Sequence, residues 1–456
     1  MKTAPLIEIP GLSPQANLLV LAAVAVIGLV ILVARFKVHA FLALILASLF
    51  VGLSSGTAPS AITRAFQDGV GNTLGFIAVV VGLGTMLGRM LAESGGAERV
   101  ASTFIRLLGP GRLHWTMMLV GFIVGTPVFF AVGLVLLMPI LVSLVRETRT
   151  PLLLLGIPLA AGLSVSHGLV PPHPGPMVAI AKLQADVGKT ILYAILVGLP
   201  VAVIAGPVFG RFIAKRVPVA AGGLAERVAS GPRREPPGFG LTLFTILLPV
   251  LLMLLATLAE IGLSKSNPLR PYAAFAGSPL VALLVAVLFS FYSFGYRCGF
   301  NRESLLKFME DCVGPAAGIM LVVGAGGGFS KVLETCGAAD AIAAAARGWH
   351  LSPLLLGWIM AALFRVAVGS ATVAITLAAG LIAPIAEAHP GTSPELLVVA
   401  LGGGSTMLSH LNDGGFWFVK EYFGLTVPQT LKTWTVMVSL ISLITLAFVL
   451  LLSLVV

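Results

Sequence analysis

Three stretches of an otherwise apolar chain hold the side chains with chemistry to offer. The latest is Ser409-His410-Leu411-Asn412-Asp413-Gly414-Gly415-Phe416. Its acid, Asp413, can take a proton, bind Na⁺, or pair with His410 or an arginine. An ionisable group at membrane depth is a functional hypothesis by default; the plainer role is a helix cap for a segment starting near Phe416. The earliest stretch runs from Val165 to Pro176 and carries His167 and His173 among the prolines Pro171, Pro172, Pro174 and Pro176. Imidazoles charge and discharge near physiological pH, so His167, His173 and His410 are candidate proton relays. Each is otherwise a hydrogen-bonded packing residue. Between these stretches lies Phe364-Arg365-Val366-Ala367-Val368-Gly369-Ser370-Ala371-Thr372-Val373. An arginine at mid-membrane costs roughly 2.5–3.5 kcal/mol on insertion scales, so Arg365 must face protein or water. It either attracts a carboxylate or ties hairpin carbonyls together. Gly369, Ser370 and Thr372 offer hydroxyls and free backbone N–H groups near a helix start, where anions bind, although such hydroxyls also bond their own backbone.

Other chemistries lack their signatures. The three histidines show no metal-ligand spacing, and no metal or cofactor is expected. There is no phosphate loop, ATP motif or catalytic triad pattern, so a gradient is the expected energy source. Cys298, Cys312 and Cys336 read as apolar packing residues.

Composition says what must hold these residues. Of 456 residues, 58% are hydrophobic and 10% charged, against roughly 25% charged in soluble domains. The chain reads as an all-α polytopic membrane protein. Its net charge of +10 sits in short loops between apolar runs, which fits the positive-inside bias rather than a nucleic-acid partner. No basic leader with a cleavage site opens the chain, so the first apolar run is expected to stay as a span.

Spans are expected near 18–34, 38–53 and 74–91, with a polar loop before the third. Residues 115–145 are too long for one crossing and are flanked by Arg112, Arg146 and Arg149. The economical solution is a re-entrant hairpin with Gly125, Thr126 and Pro127 near its tip. Residues 151–182 then form one interrupted crossing, because prolines remove donors and clash with the preceding turn. A span near 191–209 completes a first half, residues 1–210. Residues 211–238, with Arg211, Lys215, Arg216, Arg227, Arg233 and Arg234, read as a cytoplasmic linker.

Residues 239–456 repeat the pattern, with a hairpin at 353–385, a broken span at 396–420 and a last span at 434–456. Ile77–Gly84 aligns with Ile319–Gly326, Ala131-Val132-Gly133 with Ala367-Val368-Gly369, and Ser166-His167 with Ser409-His410. With about five spans per half, an odd number, the two repeats are inverted. The basic loops place both termini outside. Broken helices in corresponding places of two halves point to a transporter's binding site.

At these residues the chain resembles the gluconate:proton symporter family of bacterial permeases, within the wider ion-transporter group. The resemblance rests on Gly95-Gly96-Ala97-Glu98, Pro127-Val128-Phe129-Phe130, Ser166-His167-Gly168 with Pro171–Pro176, Gly369–Ala374 and Ser409–Trp417. It implies proton-coupled uptake of gluconate or a related sugar acid across the bacterial inner membrane by a homodimeric, inverted-repeat elevator. Gly414-Gly415 departs from the serine-glycine pair expected there, which bears on the sugar acid recognised. The candidate substrate-binding residues are Gly125, Thr126, Ser166, His167, Gly369, Ser370, Thr372, Ser409 and Asn412. Asp413, His167, His173 and His410 are the candidate proton carriers, and Arg365 the anion-attracting group. The alternatives are a sodium-coupled di- or tricarboxylate symporter and, from another class, a membrane enzyme using the histidines and Asp413.

Overall fold

In the computed structural model, residues 7–219, 235–346 and 351–456 are described, and every regular element among them is a helix. The chain opens with α1 (Pro14–Ala34), α2 (Ala40–Ser54), α3 (Pro59–Glu93) and α4 (Gly96–Leu108). Then come α5 (Leu113–Val124), α6 (Phe130–Thr148), α7 (Leu152–Leu169) and α8 (Pro174–Leu183). Next, α9 (Val187–Val203) runs through a π turn into α10 (Phe209–Ala214). The middle of the chain holds α11 (Phe239–Gly262), α12 (Leu269–Ala276), α13 (Pro279–Ser290), α14 (Arg302–Asp311), α15 (Val313–Cys336) and α16 (Ala338–Ala346). Last come α17 (Pro353–Val368), α18 (Ala371–Glu387), α19 (Pro394–Gly404), α20 (Gly414–Tyr422), α21 (Val427–Thr430) and α22 (Val436–Leu452), the final two joined by a π turn. Among the described residues nine helical stretches are long and apolar enough to cross a membrane, or up to ten if Gly96–Leu108 and Pro110–Val124, bent by 109°, make one span.

The two proline-bearing pieces α7 and α8 form the centre. Their most apolar window is 89% buried, against 28% for that of α1 at the rim. α5 and α6 pack on α7, and α8 packs on α18 and α19. On the other side, α3 packs along α15. Small residues allow these backbones to approach, as is usual where helices meet in lipid. A Cβ on Gly162 of α7 would run into the carbonyl of Met118 and the amide of Phe122 on α5. Likewise, a Cβ on Gly404 of α19 would meet the carbonyl of Trp358 on α17.

Several expectations change in detail. The polar loop expected before the third span is helical and belongs to α3. Ile62, Ala65 and Gly69 recur at helical spacing and are buried, while Thr63, Arg64, Gln67 and Asp68 are exposed, so this polar-looking stretch is an amphipathic helix. The first break is also shorter than the proline cluster suggests. α7 continues through Ser166 and His167 to Leu169. A proline disfavours the helical conformation at the residue before it, and Val170, before Pro171, is the first to turn extended, with ψ 121°. The chain then re-enters helix at Pro174, where a missing N–H does no harm. The two hairpins differ: α17 and α18 pack on each other, while α5 and α6 scarcely touch and both lean on α7. Of the linker, residues 220–234, with Arg227, Arg233 and Arg234, lie outside the described residues. Arg211 is in α10, and the Arg99 guanidinium donates to the carbonyls of Pro237 at 2.9 Å and Pro236 at 3.2 Å.

Gly162→Ala tests the central packing. Overpacking of this kind costs about 1–3 kcal/mol, so the purified variant should melt several degrees lower than wild type in detergent. Gly82→Ala, where a Cβ meets nothing within 4 Å, should melt no lower. Equal melting of both variants would show that the α5–α7 contact is not a close backbone approach.

Candidate functional site

The tip of the second hairpin is two residues long. α17 ends at Val368, and Gly369 takes a left-handed conformation, φ +81°, which residues with a Cβ rarely adopt. A side chain there would also collide with the backbone carbonyl of Asn412. Ser370 then caps α18 by accepting from the Val373 amide at 3.4 Å. Arg365, in the last turn of α17, is 5% exposed and reaches over this tip. Its Nη1 donates to the Gly369 carbonyl, and its Nη2 pairs with Oδ2 of Asp413. Arg365 thus ties a hairpin carbonyl, as one sequence reading has it, and the carboxylate it meets is the protein's own.

Asp413 ends the second break and is equally committed. Its Oδ1 accepts the Gly415 amide at 2.9 Å, which caps α20. The Ser409 hydroxyl donates to Oδ2. The Trp434 indole N–H donates to the Ser409 oxygen at 2.7 Å, and Thr435 Oγ1 donates to the Ser409 carbonyl at 2.5 Å. Asn412 Nδ2 donates to the Val366 carbonyl at 2.8 Å, and His410 Nε2 stands 3.2 Å from that oxygen. The second break is therefore stitched to the end of α17 by Arg365, His410 and Asn412. Arg365 Nε and Asn412 Oδ1 remain buried without a hydrogen-bond partner.

The first break is held differently. Ser166 Oγ donates to the Phe122 carbonyl at 2.6 Å, fixing α7 to α5. His173 Nε2 lies 2.6 Å from the Gly125 carbonyl; a carbonyl only accepts, so that nitrogen carries the ring proton. The rings of His167 and His173 are 4.9 Å apart, with Phe129 against both, and His167 Nδ1 is buried without a partner.

These elements line an open cavity of about 540 Å³. The structure brings His167, Arg365, Gly369, Ser370, Thr372, Asn412 and Asp413 to its wall. Thr126 and His173 instead line a smaller neighbouring cavity with Gly84 and Thr85 of α3, and Phe129 stands between the two. The Thr126 hydroxyl bends back to the Ile123 carbonyl at 2.8 Å, as hydroxyls near helix ends commonly do. Gly125, Ser166, Ser409 and His410 act behind the wall. Sequence reading missed Ser164 and Trp434, which also line the cavity. Ser164 lies three residues before His167 on one helix face, a spacing that could have flagged it. Trp434 comes from the last crossing, and no local pattern announces it.

Chemically the wall offers one guanidinium, one carboxylate and the starts of two helices. Ala371 and Thr372 begin α18, while Gly414 and Gly415 begin α20. Helix N-termini favour negative charge. A Cβ on Gly414 would meet nothing within 4 Å, so the cavity has spare room there. Cys298, Cys312 and Cys336 are buried.

Known proteins with this organisation are membrane transporters. Solved structures with a similar fold include the YdaH transporter of Alcanivorax borkumensis, with TM-score 0.64 and 19% identity, covering 86% of this chain and 88% of that one. MtrF of Neisseria gonorrhoeae, titled as one of a class of antimetabolite efflux pumps, gives TM-score 0.60 at 14% identity over 92% of this chain and 96% of that one. In sequence, a gluconate permease of Pseudomonas aeruginosa is 48% identical over 98% of this chain and 99% of its own length. The high-affinity gluconate transporter of Escherichia coli is 41% identical over 96% of this chain and 100% of its own length. The D-serine transporter DsdX of Escherichia coli is 39% identical over 94% and 97%. Permeases and transporters of this kind are integral membrane proteins and not enzymes. With residues 17–455 matched by the GntP family permease pattern, the chain belongs to the GntP family of permeases.

Proposed function

We propose that this permease takes up gluconate or a related sugar acid with protons across the bacterial inner membrane. The observation that carries the reading is the cavity in which Arg365 and Asp413 meet between the starts of α18 and α20. Its volume, about 540 Å³, is within the range of small-molecule sites, and its guanidinium and two helix starts suit a carboxylate once Asp413 is neutralised. Gly369, Ser370, Thr372 and Asn412 orient the substrate's carboxylate and hydroxyls, with His167 across the cavity. The charge of the anion is balanced by a proton on Asp413, because a neutral loaded site crosses an apolar barrier more cheaply than an anion.

The same reading has two inverted repeats working by an elevator motion in a homodimer, with both termini outside. The order of elements supports the repeat. α5–α6, α7–α8 and α9–α10 are two broken pairs followed by a span with a π turn, and α17–α18, α19–α20 and α21–α22 repeat that order. In this account α7, α8 and α17–α20 carry the cavity past the α3–α15 scaffold.

Uptake by the purified protein in proteoliposomes tests the function. An alkaline interior should drive accumulation of labelled gluconate, and a sodium gradient alone should not; accumulation that follows sodium only would favour a sodium symporter. Asp413→Asn should abolish proton-driven accumulation while leaving gluconate exchange intact, and full gradient-driven uptake by that variant would remove Asp413 from the coupling role. Gly414→Ser fills open space at the cavity wall, so it should change the ratio of uptake among sugar acids of different length. An unaltered ratio would mean the substrate does not reach that helix start.

A further inference from the structure

The engagement of Arg365 is incomplete in an informative way. A guanidinium presents two edges that can grip a carboxylate with two parallel bonds. One edge is formed by Nε and Nη2. Nη2 is held by Asp413, while Nε is buried with no partner. Asp413 does not supply the second bond: its other oxygen is turned to the Gly415 amide, which it accepts in capping α20. Nη1, bonded to the Gly369 carbonyl, anchors the group from behind. The residue is 5% exposed and lines the cavity. A buried fork is thus half filled by a protein carboxylate that leaves it incomplete.

Charge narrows what can complete it. Arg365 and Asp413 together are neutral. A substrate carboxylate added to them leaves one net negative charge out of water, which is strongly unfavourable. A proton on Asp413 restores neutrality and releases Nη2 at the same moment. Asp413 keeps its place when neutral, since the Gly415 amide still reaches Oδ1 and Ser409 has a rotatable proton and spare lone pairs. The other titratable groups nearby are engaged or across the cavity: His410 lies on the Val366 carbonyl, and His167 stands opposite with His173 behind it. Lys420 pairs with Glu421, away from Asp413.

We infer that Arg365 is the seat of the substrate's carboxylate and Asp413 its place-holder: each carboxylate that takes the Nε–Nη2 edge does so as one proton enters on Asp413. This deepens, and rests on, the proton-coupled reading above.

Equilibrium binding of labelled gluconate to the detergent-purified protein, between about pH 6 and pH 8, tests it. With one proton taken up per substrate, wild-type affinity should fall by up to about tenfold per pH unit as pH rises. Asp413→Asn should bind with little pH dependence and, at the alkaline end, about tenfold or more tighter than wild type. The double variant Arg365→Gln with Asp413→Asn replaces the ion pair by a neutral pair, so its fold can be checked by melting and gel filtration. It should bind about a hundredfold more weakly than Asp413→Asn alone. Asp413→Asn that keeps the wild-type pH slope, or a folded double variant that binds as well as Asp413→Asn, overturns the inference. Those results can coexist with pH-driven uptake by the wild type, whereas loss of such uptake in wild type overturns the function itself.

Discussion

A guanidinium deep in a membrane protein needs a carboxylate close by, and the geometry of this permease follows from meeting that need. Arg365 and Asp413 belong to different broken elements, one the second hairpin and the other the second interrupted crossing. Removing one member of a buried pair leaves an uncompensated charge and costs about 3–5 kcal/mol. The pair therefore holds the hairpin tip and the break in register. Around it, the left-handed Gly369, the Asn412 and His410 contacts to Val366, and the Trp434–Ser409–Asp413 chain all serve the same junction.

Interrupting helices in lipid exposes backbone groups that have no water to satisfy them. Each interruption here has a local answer. His173 takes the Gly125 carbonyl and Ser166 the Phe122 carbonyl in the first half. In the second, Ser405 and Thr406 bond back to Gly402 and Gly403 at 2.8 Å each, while Asp413 caps α20. What is left over at the cavity is a small set of uncommitted groups, Arg365 Nε and Asn412 Oδ1 among them. A fully satisfied wall would hold its own shape but offer a substrate little.

Much of this was readable from residue types. Prolines at 171 and 172 announced a break, and the arginine and the acid stood out in two apolar stretches. Their pairing was one of the options open to Asp413, and its capping role another; both occur because each carboxylate oxygen takes a different partner. Other features lie beyond local pattern. Residues 59–73 look polar, yet their buried face is small rather than strongly apolar. His167 stays helical because the chain turns extended at Val170, so that Pro171 never joins the helix. Thr126 sits at the expected tip but opens on the neighbouring cavity, since α5 and α6 splay over α7 instead of closing on each other. Trp434 joins the site through the packing of the last crossing, a long-range contact that only the folded chain defines.

The account stands on the exchange of one negative charge for another at Arg365, with a proton as the balancing partner. Calorimetric titration of the purified protein with gluconate, in two buffers of different ionisation enthalpy near neutral pH, counts that proton directly. The account predicts net uptake approaching one proton per sugar acid bound by wild type, and none by Asp413→Asn. Binding by wild type with no net proton uptake would contradict it.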